Sequence, residues 1–233
     1  TMRYYHLFLA ILLIGLSACG SSSTATRGSN YPKMYEEKPA VLLIMPPINK
    51  TTHVEAKDYF YTTLAWPLCE KGYYVVPPFL AMELMRNESA YDSEQFINGP
   101  LDKFHEVFGA DALLFTTIHK WSKAALLGTI TVNIEYELIS TKTHESLFKR
   151  RGDITIDLSS GSDSGTSSSS AWGVLGNLLS TTINTALTDK IEAARLCNNY
   201  VLRDLPLGKY SSRHDQDQDE PAGSANFKAE VRP

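Results

Sequence analysis

Three short apolar runs separated by helix-patterned stretches constrain this chain most. Val41-Leu42-Leu43-Ile44-Met45 stops at Pro46-Pro47, Tyr73-Tyr74-Val75-Val76 stops at Pro77-Pro78, and Ala112-Leu113-Leu114-Phe115-Thr116-Thr117-Ile118 follows soon after Gly109. Runs this short and solidly apolar read as strands buried on both faces. Between the first two, Val54 to Lys71 has helical spacing through Tyr59, Leu64 and Leu68 and ends at Gly72, with Pro67 placed to kink it. Phe79 to Arg86 and Leu101 to Phe108 are helical as well, separated by a loop around Asn98-Gly99-Pro100. Strand, helix, strand, helices, strand implies right-handed crossovers and a parallel βαβαβ sheet.

The period then changes. Thr129, Thr131, Asn133, Glu135 and Glu137 alternate with Ile130, Val132, Ile134, Tyr136 and Leu138, the mark of a half-exposed strand. A polar turn from Thr141 to Glu145 leads to a partner strand, Ser146 to Leu158, so the pair is expected as an antiparallel hairpin on the sheet edge. Ser159 to Ser170 is a Ser/Gly loop, and Trp172 to Val201 returns to helical spacing through Leu175, Leu179, Ile183, Leu187, Ile191 and Ala194. The expected class is α/β: a mixed sheet with a parallel βαβαβ core, an antiparallel hairpin and a long C-terminal helix. Residues 39–205 would form this single domain, and the polar residues 206–233, with Asp215, Asp217, Asp219 and Glu220 close together, a disordered tail.

Ahead of the domain, Met2, Arg3 and His6 form a short basic start, and Leu7 to Leu16 is apolar apart from Gly15. Ten residues are too few for a membrane span, which needs about 20. With the small residues Ser17 and Ala18 before Cys19, the segment resembles a lipobox-ended secretion signal of residues 1–18. That implies cleavage between Ala18 and Cys19 and acylation of the Cys19 thiol and the new amine. Several acyl chains together hold a protein durably at a bilayer where one gives only marginal binding. Gly20 in place of aspartate favours the outer membrane, with the domain in the periplasm or at the cell surface. Residues 19–38, small and polar at their start, are expected to be a flexible tether.

Cutting before Cys19 leaves 215 residues (233 minus 18), one ordinary domain with tails. The formal net charge of −4 and the lack of a basic block exclude nucleic acid and anionic headgroups as partners. Cys69 and Cys197 can form a disulfide in an oxidising envelope compartment or remain as free thiols. The histidines are scattered, with no metal-ligand spacing, so no metal and no cofactor are expected. There is no phosphate loop and no Gly-x-Ser-x-Gly elbow. Asp92, Glu94, Asp102 and Glu106 are the carboxylates nearest to an acid–base pairing.

Several phrases carry a resemblance. Pro46-Pro47-Ile48-Asn49 after an apolar strand resembles the strand-to-helix turn of TolB N-terminal-like envelope domains, including the LpoB and CsgG groups. Trp66-Pro67-Leu68, Glu70-Lys71-Gly72-Tyr73-Tyr74-Val75-Val76-Pro77 and Phe108-Gly109-Ala110-Asp111-Ala112-Leu113 are more specific. Together with the Ser/Gly loop before an apolar helix, they resemble a family of bacterial outer-membrane lipoproteins of unknown function, known for a neisserial vaccine-candidate antigen. The likeness runs from about Ala40 to Leu205. It implies a TolB-type α/β domain, a homodimer as one arrangement, and operation beside a CsgG-like lipoprotein. It supplies no catalytic residues. Ser167 to Ser170 departs from the glycine-dense loop of that pattern, and the acidic tail has no counterpart in it.

The residues together point to a non-enzymatic, lipid-anchored interaction or assembly domain. A subunit of a secretion or pore assembly is the alternative. An envelope hydrolase would need distant groups such as Asp111, His119, Glu135 and Glu137 brought together. Trp172, Leu175 and Leu179 begin a helix that is apolar over more than the roughly 100° stripe needed to cover a sheet, so they either form an interface or cap their own core.

Overall fold

The computed structural model describes residues 25–88, 90–124, 129–157 and 190–232. In chain order these hold α1 (Arg27–Asn30), α2 (Pro32–Glu37), β1 (Val41–Ile44), β2 (Ile48–Asn49), α3 (Ala56–Glu70), β3 (Tyr74–Val75) and α4 (Pro78–Asn87). A 3₁₀ turn (Ser93–Gln95), α5 (Asp102–Phe108), β4 (Ala112–Ala124), β5 (Thr129–Ser140) and β6 (Ser146–Asp157) follow. Residues 190–202 are helical, and β7 (Asn226–Val231) ends the series.

All seven strands join one mixed sheet in the order β3-β1-β4-β5-β6-β7, with β2 paired to β4 beyond the end of β1. The parallel core pairs Val41 with Tyr74 and Leu43 with Leu113. Antiparallel registers then match Ala112 with Ser140 and Leu138 with Phe148.

The apolar patterns follow from what covers each face. Leu42, Ile44, Leu114, Ile134, Tyr136, Leu138, Ile154 and Ile156 meet Phe60, Leu64, Leu68, Ala194, Cys197 and Val201 from α3 and the C-terminal helix in one core. On the opposite face Leu43, Met45, Leu113, Phe115 and Ile139 meet Ala81, Met85 and Phe104 from α4 and α5. Strands β1 and the start of β4 are therefore buried on both sides and read as solid apolar runs. Among the described residues, β5 and β6 are covered over most of their length on one side only, so they alternate. Pro67 sits within α3, which continues to Glu70.

Four expectations are corrected. The hairpin is not at the sheet edge, because β7 pairs parallel to β6 from Arg151↔Asn226 to Ile156↔Val231. β7 comes from the segment expected as a disordered tail, whose acids are spent on ion pairs rather than on solvation: Asp215 with Lys38, Asp217 and Glu220 with Arg27. The expected tether is likewise folded from Thr26 onward, where the Thr26 side chain caps α1 in a capping box, Pro32 opens α2, and Tyr31 and Met34 are buried. Lastly, β3 is a two-residue edge strand with Tyr74 exposed, not a run buried on both faces.

Gly72 joins α3 to β3 at φ +85°, and a Cβ there would lie 2.4 Å from the Ser211 nitrogen. Sheet and C-terminal segment thus meet too closely for a side chain.

Candidate functional site

Beyond the part of the sheet face that α4 and α5 cover, the described residues carry a charged ladder. Register places Thr117 and Arg151 on either side of Glu135, and Lys149 opposite Glu137. Lys149 Nζ lies 3.0 Å from Glu135 Oε1 and 2.8 Å from Glu137 Oε2. Arg151 Nη1 reaches Glu135 Oε2 at 3.8 Å, and its Nε donates to Asn133 at 3.1 Å. Asn133 donates in turn to Asp153 at 2.5 Å.

Of the four groups considered for hydrolysis, this ladder brings together His119, Glu135 and Glu137. His119 Nε2 stands 3.6 Å from Glu135 Oε2, beyond hydrogen-bond length. Burial and the Arg151 charge push the His119 pKa down, against a smaller opposing pull from Glu135, so the ring is neutral near pH 7. Partial burial works to raise the Glu135 pKa, but the Lys149 hydrogen bond and charge, with His119 and Arg151, outweigh it and hold it below the usual range. The Glu135 and Glu137 carboxylates are thus spent on Lys149 and Arg151. The ladder is a self-paired polar surface.

Asp111 is elsewhere: its Oδ2 accepts from the Ala40 and Val41 amides, both at 2.9 Å, fixing the entry to β1. It borders a cleft of about 630 Å³ with Lys38, Asp102, His105, Glu106 and Lys142. There His105 Nδ1 is bound to the Ala110 carbonyl at 2.9 Å, and Asp102 lies 3.3 Å from His144. Asp92 caps the 3₁₀ turn by accepting from the Glu94 amide at 3.2 Å and lines a different cleft with Glu94, whereas Asp102 and Glu106 share the one beside Asp111. Among the described residues no group of three His, Cys, Asp or Glu could hold a metal ion.

Cys69 and Cys197 are not bonded to each other in this structure: Cys69 is exposed on α3, and Cys197 is fully buried in the core. Burial alone pushes the Cys197 thiol far above its usual pKa. Ala18, Cys19, Trp172, Leu175 and Leu179 lie outside the described residues.

Sequence reasoning missed a buried ionic clasp. Arg150 is 1% exposed, with Nη1 3.0 Å from Asp204 Oδ2 and donating to the Val201 carbonyl at 2.8 Å, while the guanidinium lies 4.4 Å over the Phe227 ring. Asp204 also accepts from the Gly223 amide at 2.8 Å. A second pair, Arg27 with Asp217 at 2.9 Å, has an Asp217 carboxylate that also takes the Leu207 amide. The signal for Arg150 was present: alternation puts it on one face with Phe148 and Ile154, an inward place for a charge that must be paired.

Comparison with known proteins gives this framework a family. The model of the family described as GNA1162-like, a lipoprotein family, matches residues 29–204. The chain belongs to the GNA1162-like lipoproteins. Its Neisseria meningitidis serogroup B relative, the lipoprotein NMB1124/NMB1162, is 28% identical over 183 residues, covering 76% of this chain and 80% of the relative. Among solved structures, the lipoprotein GNA1162 from Neisseria meningitidis aligns at 27% identity with a TM-score of 0.46, over 64% of this chain and 99% of that one. The LpoB C-terminal domain from Escherichia coli aligns at 16% and 0.34, over 54% and 94%. The PelC dodecamer from Paraburkholderia phytofirmans aligns at 16% and 0.38, over 74% and 91%. Among the described residues no helix is long and apolar enough to cross a membrane.

Proposed function

We propose that this protein is a lipid-anchored interaction domain of the Gram-negative envelope, held at the outer membrane through acylated Cys19 and acting by binding another envelope protein rather than by catalysis. The observation that carries the reading is the match to a lipoprotein family over residues 29–204, and the lipobox-like segment ending at Cys19 supports it. The ladder on the open sheet face supports it. Its acids and bases are spent on one another, as in a surface built to be rigid and polar. None of the names of its relatives describes a reaction.

Crosslinking in intact cells, followed by mass spectrometry, tests this. The expected product joins the domain to an envelope protein, and a ring-forming lipoprotein among the products would place it in a secretion or pore assembly. Only lipid adducts, with no protein crosslink at any exposed lysine, would contradict the interaction role.

A further inference from the structure

The folded region begins much closer to Cys19 than the sequence suggests. Five residues, 20–24, separate Cys19 from Ala25, whose carbonyl accepts from the Ala222 amide at 2.8 Å. Six residue steps reach at most roughly 20 Å when fully extended. Ala25 therefore cannot stand farther than that from the bilayer that holds the acyl chains.

Ala25 is also fixed at one end of the molecule. It lines a cleft with Ser146, Leu147 and Phe148, the first residues of β6, and with Gly223 and Ser224. The Tyr31 ring packs tilted against Phe148 at 4.8 Å, Asn30 donates to the Gly223 carbonyl, and Lys33 pairs with Glu145 in the β5–β6 turn at 2.7 Å. The Arg27–Asp217 pair and the backbone bridge between Thr26 and Pro221 lock this start to the C-terminal segment. Call this the anchor pole. The opposite pole is where β4 ends and β5 begins, at the Ala124↔Thr129 pair. Strand β4, Ala112–Ala124, separates the two levels by about 40 Å at 3.3 Å per residue. Asp157 at the end of β6 and Lys190, which lies 3.5 Å from Glu55 at the start of α3, belong to that distal half.

We infer that the domain is held in one orientation, with the β5–β6 turn and the Thr26–Pro221 clasp resting against the anchoring lipid surface and the β4–β5 end presented away from it. The inverted arrangement would put Ala25 some 30–40 Å from the lipid, farther than about 20 Å of chain can reach. The inference rests on the lipid anchorage of Cys19 and names the face that this anchorage leaves free for a partner. It replaces a domain that stands off on a long tether with one pressed close to the bilayer.

The test uses the full acylated protein in vesicles of phosphatidylethanolamine and phosphatidylglycerol that carry a headgroup energy acceptor. In a Cys69→Ser background, a donor dye is placed either at Lys142→Cys, exposed in the β5–β6 turn, or at Ser122→Cys, exposed near the end of β4. Transfer should be strong from position 142 and largely lost from position 122. Inserting a long Gly/Ser spacer between Ser23 and Thr24 should abolish that difference. Equal transfer from both positions, or a difference that survives the spacer unchanged, overturns the inference. Failure of the anchorage itself looks different, since neither labelled protein would then float with the vesicles.

Discussion

Removing the carboxylate of Asp204 should destabilise the protein severely. Arg150 lies inside the molecule beneath β7, and Asp204 is its counter-charge at 3.0 Å. Its remaining contacts are the Val201 and Ser224 carbonyls and the Phe227 ring. Burial already pushes the Arg150 pKa down, with Asp204 the main opposing influence. Asp204→Ala leaves this guanidinium buried and unpaired, at a cost of about 3–5 kcal/mol. It also frees the Gly223 amide, which Asp204 accepts from. For a chain of this size each kcal/mol moves Tm by about 2–4 °C, so the expected drop is roughly 6–20 °C. Urea unfolding of protein lacking the first 18 residues measures the loss. Arg150→Met combined with Asp204→Leu should recover most of it, giving a coupling of about 2 kcal/mol or more in the double-mutant cycle. A loss below about 1 kcal/mol for Asp204→Ala, the value of an exposed pair, would refute the buried clasp.

Three further outcomes are expected. Gly152→Val should uncouple β7, since a Cβ there would lie 2.4 Å from Phe227 Cζ; the overpacking costs about 1–3 kcal/mol, and amide exchange at Ala229 should quicken while that at Ile134 stays protected. Burial, helped by the Arg27 charge, pushes the Lys71 ammonium down to about 8 from 10.5, so the unfolded chain binds the extra proton between those values and stability gained from this group rises with pH across that window. Denaturant midpoints of the wild type minus those of Lys71→Met should therefore climb from pH 8 to 10, and a flat difference would show that Lys71 is solvated. Leu114→Asp places a charge between β1 and β5, where each branched side chain contributes about 1.5–3 kcal/mol, and a soluble protein that melts cooperatively would show that β4 is not central.

What could be read from the chain was whatever local pattern dictates. The solid runs at Leu42–Ile44 and Ala112–Phe115 declared two-sided burial, and the alternation from Ile130 to Leu138 declared one-sided burial. What escaped was pairing between the chain's ends. Asp215, Asp217 and Glu220 look like a solvated acidic tail until Lys38 and Arg27, almost the whole chain away, are seen to hold them. The Phe227-Ala229-Val231 alternation of β7 is short and was outweighed by polar neighbours. At the candidate site, His119, Glu135 and Glu137 could be named from the chain, whereas the Lys149 bridge between the two glutamates depends on the β5–β6 register.

Under the proposed function, Cys19 carries the lipid that makes this α/β domain an envelope protein. Cells expressing the wild type and Cys19→Ala are fed a fatty-acid analogue with a clickable tag, and the purified proteins are compared by in-gel fluorescence and intact mass. The wild type should carry label and show a mature mass beginning at Cys19, and Cys19→Ala should remain an unlabelled, uncleaved precursor. Label retained in the Cys19→Ala protein, or a wild type cut elsewhere and free of label, would contradict it.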